Sequence, residues 1–477
     1  MMKKRISAAV PALDPFVPLG LRVKGWQNGS PMAPLDRTTV LTRHRARPLA
    51  GALAAALLLS SIGLVPVAAQ DASPDAEASP TAAATPLPEG FSKKMIKKVA
   101  EVIDEVHPVR GLPAAQDVAY RVIDDEAFLA ELEALFHKEY SEEYIDAEDD
   151  AFTRLGLLEA DDDLEKLILK IYDSQVLAYY DPITKMFSLI GPVDKIGALE
   201  SIVVAHEYGH ALQDAAWDLD AGRIKDLDRA DAILAQQALI EGDATAVMYD
   251  WAARELKLAG LLAVSAEALS KKDQKKLGRM PDILQRQLEF PYIDGYAFVI
   301  AIRGRGDWAA VDEAWGAQPV STEQILHPEL YPKELPVEIT LPDVAGVLGS
   351  DWSTSYAQTF GEMQMHVWVA DGRKTRSLFP GLPAQLPRSE AAAGWGGDRL
   401  LSLDGPDGAW AVVWQTDWDS ADDQKEFRKA ARDAMKDLPG AHSATNADIA
   451  GGLSSPVLVL VADSEGTLDA LEVGLGL

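Results

Sequence analysis

Apolar residues recur at the spacing of an α-helix over several stretches of the chain. The first stretch follows Ser92, and its apolar positions are Met95, Ile96, Val99, Val102, Ile103 and Val106. Residues at this spacing lie on one helix face, so the pattern predicts an amphipathic helix that Pro108 stops. The same spacing predicts further helices over residues 117–136 and 164–172.

The period changes at residues 176–180 and 186–190. Both runs are rich in aromatic and β-branched or other β-prone residues, and the segment Asp181-Pro182-Ile183-Thr184-Lys185 separates them. Two such runs joined by a short polar turn predict a β-hairpin.

Helical spacing returns over residues 228–258 and 266–287, with a break expected before Pro281. From residue 343 the pattern becomes mixed, with strands predicted at 410–414 and 457–461 and a helix at 421–435. We therefore predict an α+β fold. A mainly helical domain with a small sheet edge spans residues 92–342, and a separate α+β module spans residues 343–477.

The amino-terminal region carries an export pattern. Arg43, Arg45 and Arg47 precede an uncharged, largely apolar stretch at residues 49–65, which leads into Val67-Ala68-Ala69. A basic region, a short apolar region and a small-x-small site are typical of a secretory signal peptide, with cleavage after Ala69.

This pattern divides the amino-terminal region into three segments. Residues 1–31 are predicted to come from an over-long gene assignment, residues 32–69 are the signal peptide, and residues 70–91 form a disordered Ala/Ser/Pro linker. The predicted location is secreted or extracytoplasmic, in the cell envelope. The alternative is an uncleaved membrane anchor, since the apolar stretch is marginal in length for a span.

Composition limits the chemistry that the chain can perform. The 477 residues include no Cys, so disulfides, thiol nucleophiles and thiolate metal ligands are excluded. The net charge of −29 at pH 7 argues against nucleic acid as a partner, and a membrane is expected only if the signal segment is uncleaved.

The strongest chemical signal is the segment His206-Glu207-Tyr208-Gly209-His210, which follows an apolar run typical of a buried helix. Residues i and i+4 share a helix face, so His206 and His210 can bind one Zn²⁺ while Glu207 faces a water on the metal. A structural pair of hydrogen-bonded histidines is the alternative.

A catalytic zinc needs a third protein ligand. Glu241, in the apolar helical run at residues 238–249, is the obvious candidate. Asp243, Thr245 and Asp214 are candidates for the acceptor that holds a ligand histidine in its working tautomer.

The pattern His206-Glu207-x-x-His210 followed by a helix-borne Glu241 resembles the gluzincin zinc metallopeptidases, which include thermolysin. The resemblance, closest over residues 176–250, implies a zincin-like core with one Zn²⁺ on His206, His210 and Glu241. It also implies that Glu207 is the general base. Around the third ligand the chain departs from the family, because Glu241-Gly242-Asp243-Ala244 replaces the usual Asn-Glu pattern.

The wider layout is similar to that of a group of secreted bacterial proteins of unclear substrate. They share the Tyr-Asp-Pro hairpin, the His-Ala-Leu-Gln-Asp ending of the histidine motif and a Ser-Thr-Glu-Gln-Ile-Leu-His-Pro segment, here residues 321–328. The similarity extends over nearly all of the mature chain.

The resemblance also indicates where further site residues lie. Zincins stabilise the oxyanion with a Tyr or His from a distant segment, for which Tyr292, Tyr296 and His327 are the candidates. The edge strand of a gluzincin hairpin pairs with an extended peptide, so Tyr179 and Tyr180 are predicted to bind substrate. An ordinary hairpin that caps the helical core is the alternative.

We therefore predict a secreted zinc metallopeptidase that acts on peptide or protein substrates, with Glu207 as general base. The alternative is a non-catalytic zinc-binding module of the cell envelope, with a role in adhesion or assembly. The retained Glu207 favours the enzyme, since a structural zinc site does not need a base.

Overall fold

The computed structural model describes residues 90–115, 118–257, 260, 280–370, 389–438 and 440–477. All of them belong to one compact unit, residues 46–477. The predicted signal peptide, almost all of the predicted linker and residues 266–279 of a predicted helix lie outside the described residues.

The first helix, α1, spans Lys93–Arg110 and begins at Ser92, whose side chain accepts a hydrogen bond from the backbone N–H of Met95. The prediction that Pro108 stops this helix is wrong. Pro108 lies inside its last turn, and the helix ends at Gly111 with a φ of 74°, a left-handed conformation that glycine adopts without strain.

The prediction of a helix over residues 117–136 is wrong for the first part of this range. Ala119–Ile123 forms strand β1, and helix α2, Asp125–Glu139, begins after the capping side chain of Asp124. β1 pairs in parallel with a strand far along the chain, a non-local pairing that the local spacing does not reveal.

Helices α3, Glu142–Arg154, and α4, Leu164–Gln175, lead to the hairpin. Strands β2, Ala178–Asp181, and β3, Met186–Ile190, pair antiparallel as predicted. The three-stranded sheet has the order β1-β3-β2, which leaves β2 at an edge.

Three long helices form the centre of the helical part. They are α5, Ala198–Trp217, α6, Ala230–Glu255, and α7, Asp282–Gly306. α5 is buried on almost every side, as expected for a helix that is apolar all round. α7 continues through Pro291, and its length was not predicted from the sequence.

Short helices connect this centre to a second sheet. They are α8, Trp308–Gly316, α9, Thr322–Leu326, α10, Val344–Leu348, and α11, Gly361–Trp368. The five strands of the sheet are β4, Ser353–Gln358, β5, Trp395–Asp404, β6, Trp410–Trp418, β7, Ala441–Thr445, and β8, Val457–Ala462. Every pairing is antiparallel, in the order β4-β5-β6-β8-β7, and helices α12, Ala421–Ala434, and α13, Glu465–Leu475, pack against the sheet.

The fold is therefore mixed α+β, as predicted. The hydrophobic core runs without interruption across residue 343. The ring of Phe152 on α3 meets Phe360 edge-on with centroids 6.3 Å apart, and the indole N–H of Trp368 donates to the carbonyl of Leu155 at 3.1 Å. The division into two separate domains at this residue stays a prediction.

No helix in the described part of the chain combines the length and the apolar character that a bilayer span requires.

Candidate metal centre

Two helices bring three metal-ligating side chains to one point. His206 and His210 extend from α5, and Glu241 extends from α6. The Nε2 atoms of the histidines are 3.1 Å apart, and Oε2 of Glu241 lies 3.1 Å from His206 Nε2 and 3.3 Å from His210 Nε2. Three ligand atoms thus converge in a buried position, as the sequence predicted for the metal ligands.

The close approach of α5 and α6 depends on a small residue within the motif. A Cβ atom on Gly209 would lie 3.2 Å from Cα of Ala244 and 3.3 Å from its Cβ. Glycine at this position therefore lets the backbones come near enough for the side chain of Glu241 to reach both histidines.

Gln213 fixes the ring of His210. Its amide nitrogen donates to the carbonyl of Ile240 at 2.9 Å, which turns its Oε1 towards His210 Nδ1, also at 2.9 Å. Because Oε1 is an acceptor, Nδ1 must carry a proton, which leaves Nε2 as the nitrogen that faces the centre and can ligate a metal once it is deprotonated. Gln213 was not among the site residues predicted from the sequence, although it lies within the shared His-Ala-Leu-Gln-Asp segment.

The pKa shifts of the three side chains reflect an ion pair in a buried site. Burial lowers the pKa of His206. For His210, burial opposes the charged form, but the carboxylate of Glu241 outweighs it and raises the pKa to about 9. Burial likewise opposes ionisation of Glu241, yet the two histidines lower its pKa to about 2. The carboxylate is thus held ionised for a cation.

Glu207 lies beside this group and has no strong partner of its own. It is 1% exposed, and neither carboxylate oxygen accepts a hydrogen bond of normal geometry from the described residues. Burial raises its pKa well above the ordinary value, while His210 and the backbone N–H of Tyr180 act in the opposite direction. An unpartnered buried carboxyl group of this kind is a candidate proton acceptor.

Tyr292 on α7 reaches the centre from the third long helix. Its ring is 6.2 Å from the ring of His206, centroid to centroid, and its side chain is buried. Tyr172 on α4 is also near the centre. Burial is the main reason that the pKa of its hydroxyl is raised, and the nearby carboxylate of Glu241 raises it further. The structure therefore brings Tyr292, one of the predicted oxyanion candidates, to the metal centre.

The two hairpin tyrosines point to opposite faces of the sheet. The hydroxyl of Tyr180 donates to Asp214 at 2.8 Å, and Asp214 also pairs with Lys185. The hydroxyl of Tyr179 donates to Glu131 at 2.6 Å and accepts from Arg121 on the other face. Side chains alternate along a strand, so only Tyr180 faces the helix that carries the histidines.

The predicted support of a ligand histidine by Asp214, Asp243 or Thr245 is not what the structure shows. Asp214 holds the hairpin, as described above. Asp243 accepts two hydrogen bonds from Arg110, at 2.8 and 3.1 Å, and one from the indole N–H of Trp315 at 2.8 Å. The hydroxyl of Thr245 is buried and has no hydrogen-bond partner among the described residues.

His327 belongs to a different polar group. Its Nε2 lies 3.0 Å from Oε1 of Glu362, and His366 Nε2 lies 3.0 Å from the same oxygen. Burial opposes the charge of Glu362, but these histidines lower its pKa. The structure places His327 with this group rather than with His206 and His210. Tyr296 packs against Tyr249 with the ring planes tilted and the centroids 4.9 Å apart.

A cavity of about 230 Å³ lies near the metal centre, although none of the three ligand residues lines it. Tyr172 and Tyr292 line it, as does Gln237, which lies one helical turn before Glu241 on α6. Most of its remaining wall is apolar.

A family model matches part of the chain. Residues 352–468 match the profile of a family described as Domain of unknown function (DUF8575). The match covers the second sheet and leaves out the metal centre. No curated protein and no solved structure matches the chain significantly.

Proposed function

We propose that this protein is a zinc-dependent metallopeptidase with a zincin-like core. The observation that carries the proposal is the buried convergence of His206, His210 and Glu241 with an unpartnered carboxyl group, Glu207, next to them. A structural zinc site requires ligands alone, whereas hydrolysis also requires a positioned base.

The three ligand atoms fit a zinc ion. At bonds of about 2.0–2.1 Å and tetrahedral angles, ligand atoms lie about 3.3 Å from one another. The three observed separations are 3.1, 3.1 and 3.3 Å. Two imidazoles and a carboxylate are also a ligand set of catalytic zinc sites, which leave a further position for water.

Zinc bound here would act as a Lewis acid and lower the pKa of a water molecule. Glu207 accepts the proton of the attacking water at its carboxylate and delivers it to the leaving amine. The hydroxyl of Tyr292 donates a hydrogen bond to the oxyanion. Gln213 keeps the ring of His210 in the orientation and tautomer that zinc ligation needs.

The position of the hairpin supports the proposal that this protein binds an extended peptide. β2 is an edge strand, and the backbone of Tyr180 lies near Glu207. An extended peptide that adds to this edge would run past the base, which supports peptides or proteins as substrates. We further propose that the enzyme is secreted or extracytoplasmic, on the basis of the predicted signal peptide.

One observation favours the alternative, a non-catalytic zinc-binding module of the cell envelope. His206 and Glu241 have no solvent exposure and His210 is 7% exposed, so the centre is nearly closed. A closed site is typical of structural zinc. The cavity that Tyr292 lines is near the centre and gives space for part of a substrate, which favours the enzyme.

The test is hydrolysis of casein and of a proteome-derived peptide library by purified protein with and without a chelator. We expect cleavage that the chelator abolishes and zinc restores. Glu207→Gln keeps all three ligands, so it is expected to retain zinc while turnover falls about 10²–10⁴-fold. Protein that binds zinc and cleaves no peptide would favour the non-catalytic module.

A further inference from the structure

The cavity beside the metal centre has one charged wall residue. Apolar side chains such as Ile168, Ile233 and Leu284 form much of its wall, and no Lys, Arg or Asp is among the described residues that line it. Glu148 on α3 is the exception. Tyrosine and glutamine side chains supply the other polar groups of the wall, and a carboxylate among these neutral residues is costly unless something compensates its charge.

Glu148 has a hydrogen-bond partner but no counterion among the groups that act on it. The hydroxyl of Tyr356 donates to its Oε1 at 2.7 Å. Burial raises the pKa of Glu148 to about 7; Tyr356 lowers the pKa and Asp149 raises it. The nearby Arg154 is committed to Asp150 and Asp404, at 2.9 and 2.6 Å. The described residues therefore supply no cation to this carboxyl group.

The cavity and the candidate metal centre have two neighbouring residues in common. Tyr292 is both a wall residue and a neighbour of His206, and Tyr172 is both a wall residue and a neighbour of Glu241. A side chain in the cavity would therefore belong to a residue close to the bond that is cleaved.

We propose that this cavity is a specificity pocket for a lysine or arginine side chain of the substrate, whose apolar stem packs on the wall and whose cationic end pairs with Glu148. The inference rests on the proposed peptidase function. A long basic side chain matches both features of the cavity. Its stem can pack on the apolar residues of the wall while its charged end pairs with the one acid. An aliphatic side chain would match the wall but leave the carboxyl group uncompensated.

Neighbouring polar groups can complete the recognition. Gln358 also lines the cavity, and its amide nitrogen has no partner among the described residues. The amide can turn either end towards the cavity, so its oxygen can accept a hydrogen bond from an ammonium or guanidinium group.

The first test compares matched peptides that contain lysine or norleucine at the selected position. Norleucine has the lysine stem without the amine. The wild-type enzyme is expected to cleave the lysine peptide at least about ten-fold faster, and Glu148→Gln should remove most of that preference. The amide can still accept the hydrogen bond from Tyr356, so the variant is expected to fold. Glu142→Gln, an exposed acid on the same helix, is the matched control and should change nothing.

The second test measures binding without catalysis. Hexylammonium and 1-hexanol are compared as pocket probes by saturation-transfer NMR in wild type and Glu148→Gln. The wild type is expected to prefer hexylammonium, and the preference should weaken below about pH 7 as Glu148 becomes protonated. The groups that act on Glu148 or are acted on by it are Asp149, Tyr140, Tyr144 and Tyr356, and burial raises the pKa of each of these tyrosines, so they stay uncharged near that pH.

The two tests separate the pocket from the peptidase. Preferential binding of hexylammonium that Glu148→Gln abolishes supports the pocket even if no peptide is cleaved, in which case only the peptidase function fails. If the enzyme cleaves peptides without a preference for lysine and binds both probes equally, the proposed pocket is wrong and the proposed peptidase function is still supported.

Discussion

Gln213 links the two helices of the metal centre through a chain of hydrogen bonds from Ile240 to His210. Gln213→Ala removes the acceptor at Nδ1 of His210, so we expect zinc affinity to fall about 10–100-fold, the usual effect of losing such a partner. Competition with a fluorescent zinc chelator measures this affinity.

Asp214→Asn is the matched control, because Asp214 holds Tyr180 and Lys185 rather than a histidine. Its zinc affinity should be unchanged. Equal losses in both variants would mean that Gln213 does not act through the ring of His210.

The ring of Tyr292 lies next to the ring of His206. Tyr292→Phe keeps the ring and removes the hydroxyl, so we expect kcat to fall about 10²–10³-fold with zinc retained. Tyr296→Phe, one turn further along α7 and packed on Tyr249, should keep full activity. Steady-state kinetics and zinc content are measured for both variants, and an active Tyr292→Phe enzyme would remove Tyr292 from the proposed mechanism.

The site residues that the sequence predicted correctly are those whose relative positions follow from the periodicity of one helix. His206, Glu207 and His210 share one helix, and their spacing alone places them together. Asp243 and His327 could not be placed in this way. Asp243 pairs with Arg110, and His327 pairs with Glu362, through contacts that depend on how distant helices pack.

At the scale of elements, α6 and α7 meet at two glycines. A Cβ atom on Gly242 would lie 2.3 Å from the carbonyl carbon and oxygen of Gly295, and a Cβ atom on Gly295 would lie 2.1 Å from the carbonyl oxygen of Ala238. These are backbone atoms, which cannot move away by a side-chain rotation, so the helices must separate if either glycine gains a side chain.

Gly295→Ala is therefore expected to destabilise the protein by about 1–3 kcal/mol or more. Gly304→Ala, at an exposed position of α7 with no atom within 4 Å of its Cβ position, should be neutral or stabilising by up to about 1 kcal/mol. Urea unfolding measures both. A neutral Gly295→Ala variant would show that the helices do not pack this closely.

The predictions of elements succeeded where the apolar pattern was local and strong, as for the β2–β3 hairpin, α5 and α6. They failed for β1, which is stabilised by parallel pairing with β3, more than sixty residues along the chain (186 − 119 = 67). They also missed the continuous course of α7, because Pro291 interrupts the sequence pattern although packing against α6 holds the helix together.

At the scale of the whole molecule, buried acids lie where α6 meets α9. Asp231 accepts hydrogen bonds from Thr322, whose hydroxyl is 2.5 Å away, and burial raises its pKa to about 8. Burial raises the pKa of Glu323 to about 9, with further increases from Glu362 and Asp419. Both folded-state values lie above the ordinary range near 4.

The stability that these protonated acids contribute is complete below about pH 4 and is lost as pH rises through the folded values near 8 and 9. We expect the free energy of unfolding to fall between pH 6 and 8 by up to about 1.4 kcal/mol per pH unit for each group. Asp231→Asn keeps an acceptor for Thr322 and removes the titration. Urea unfolding of this variant should show a smaller loss with pH than the wild type, and an identical slope would contradict the assignment.

The central claim, that His206, His210 and Glu241 bind one zinc ion, is tested most directly by elemental analysis of purified protein. Wild type and Glu255→Ala, an exposed acid at the end of the same helix as Glu241, are expected to hold one zinc per chain. Glu241→Ala should lose most of it while remaining folded by circular dichroism, because a ligand has been removed. A Glu241→Ala variant with a full equivalent of zinc, or wild-type protein that binds none when zinc is supplied, would contradict the account.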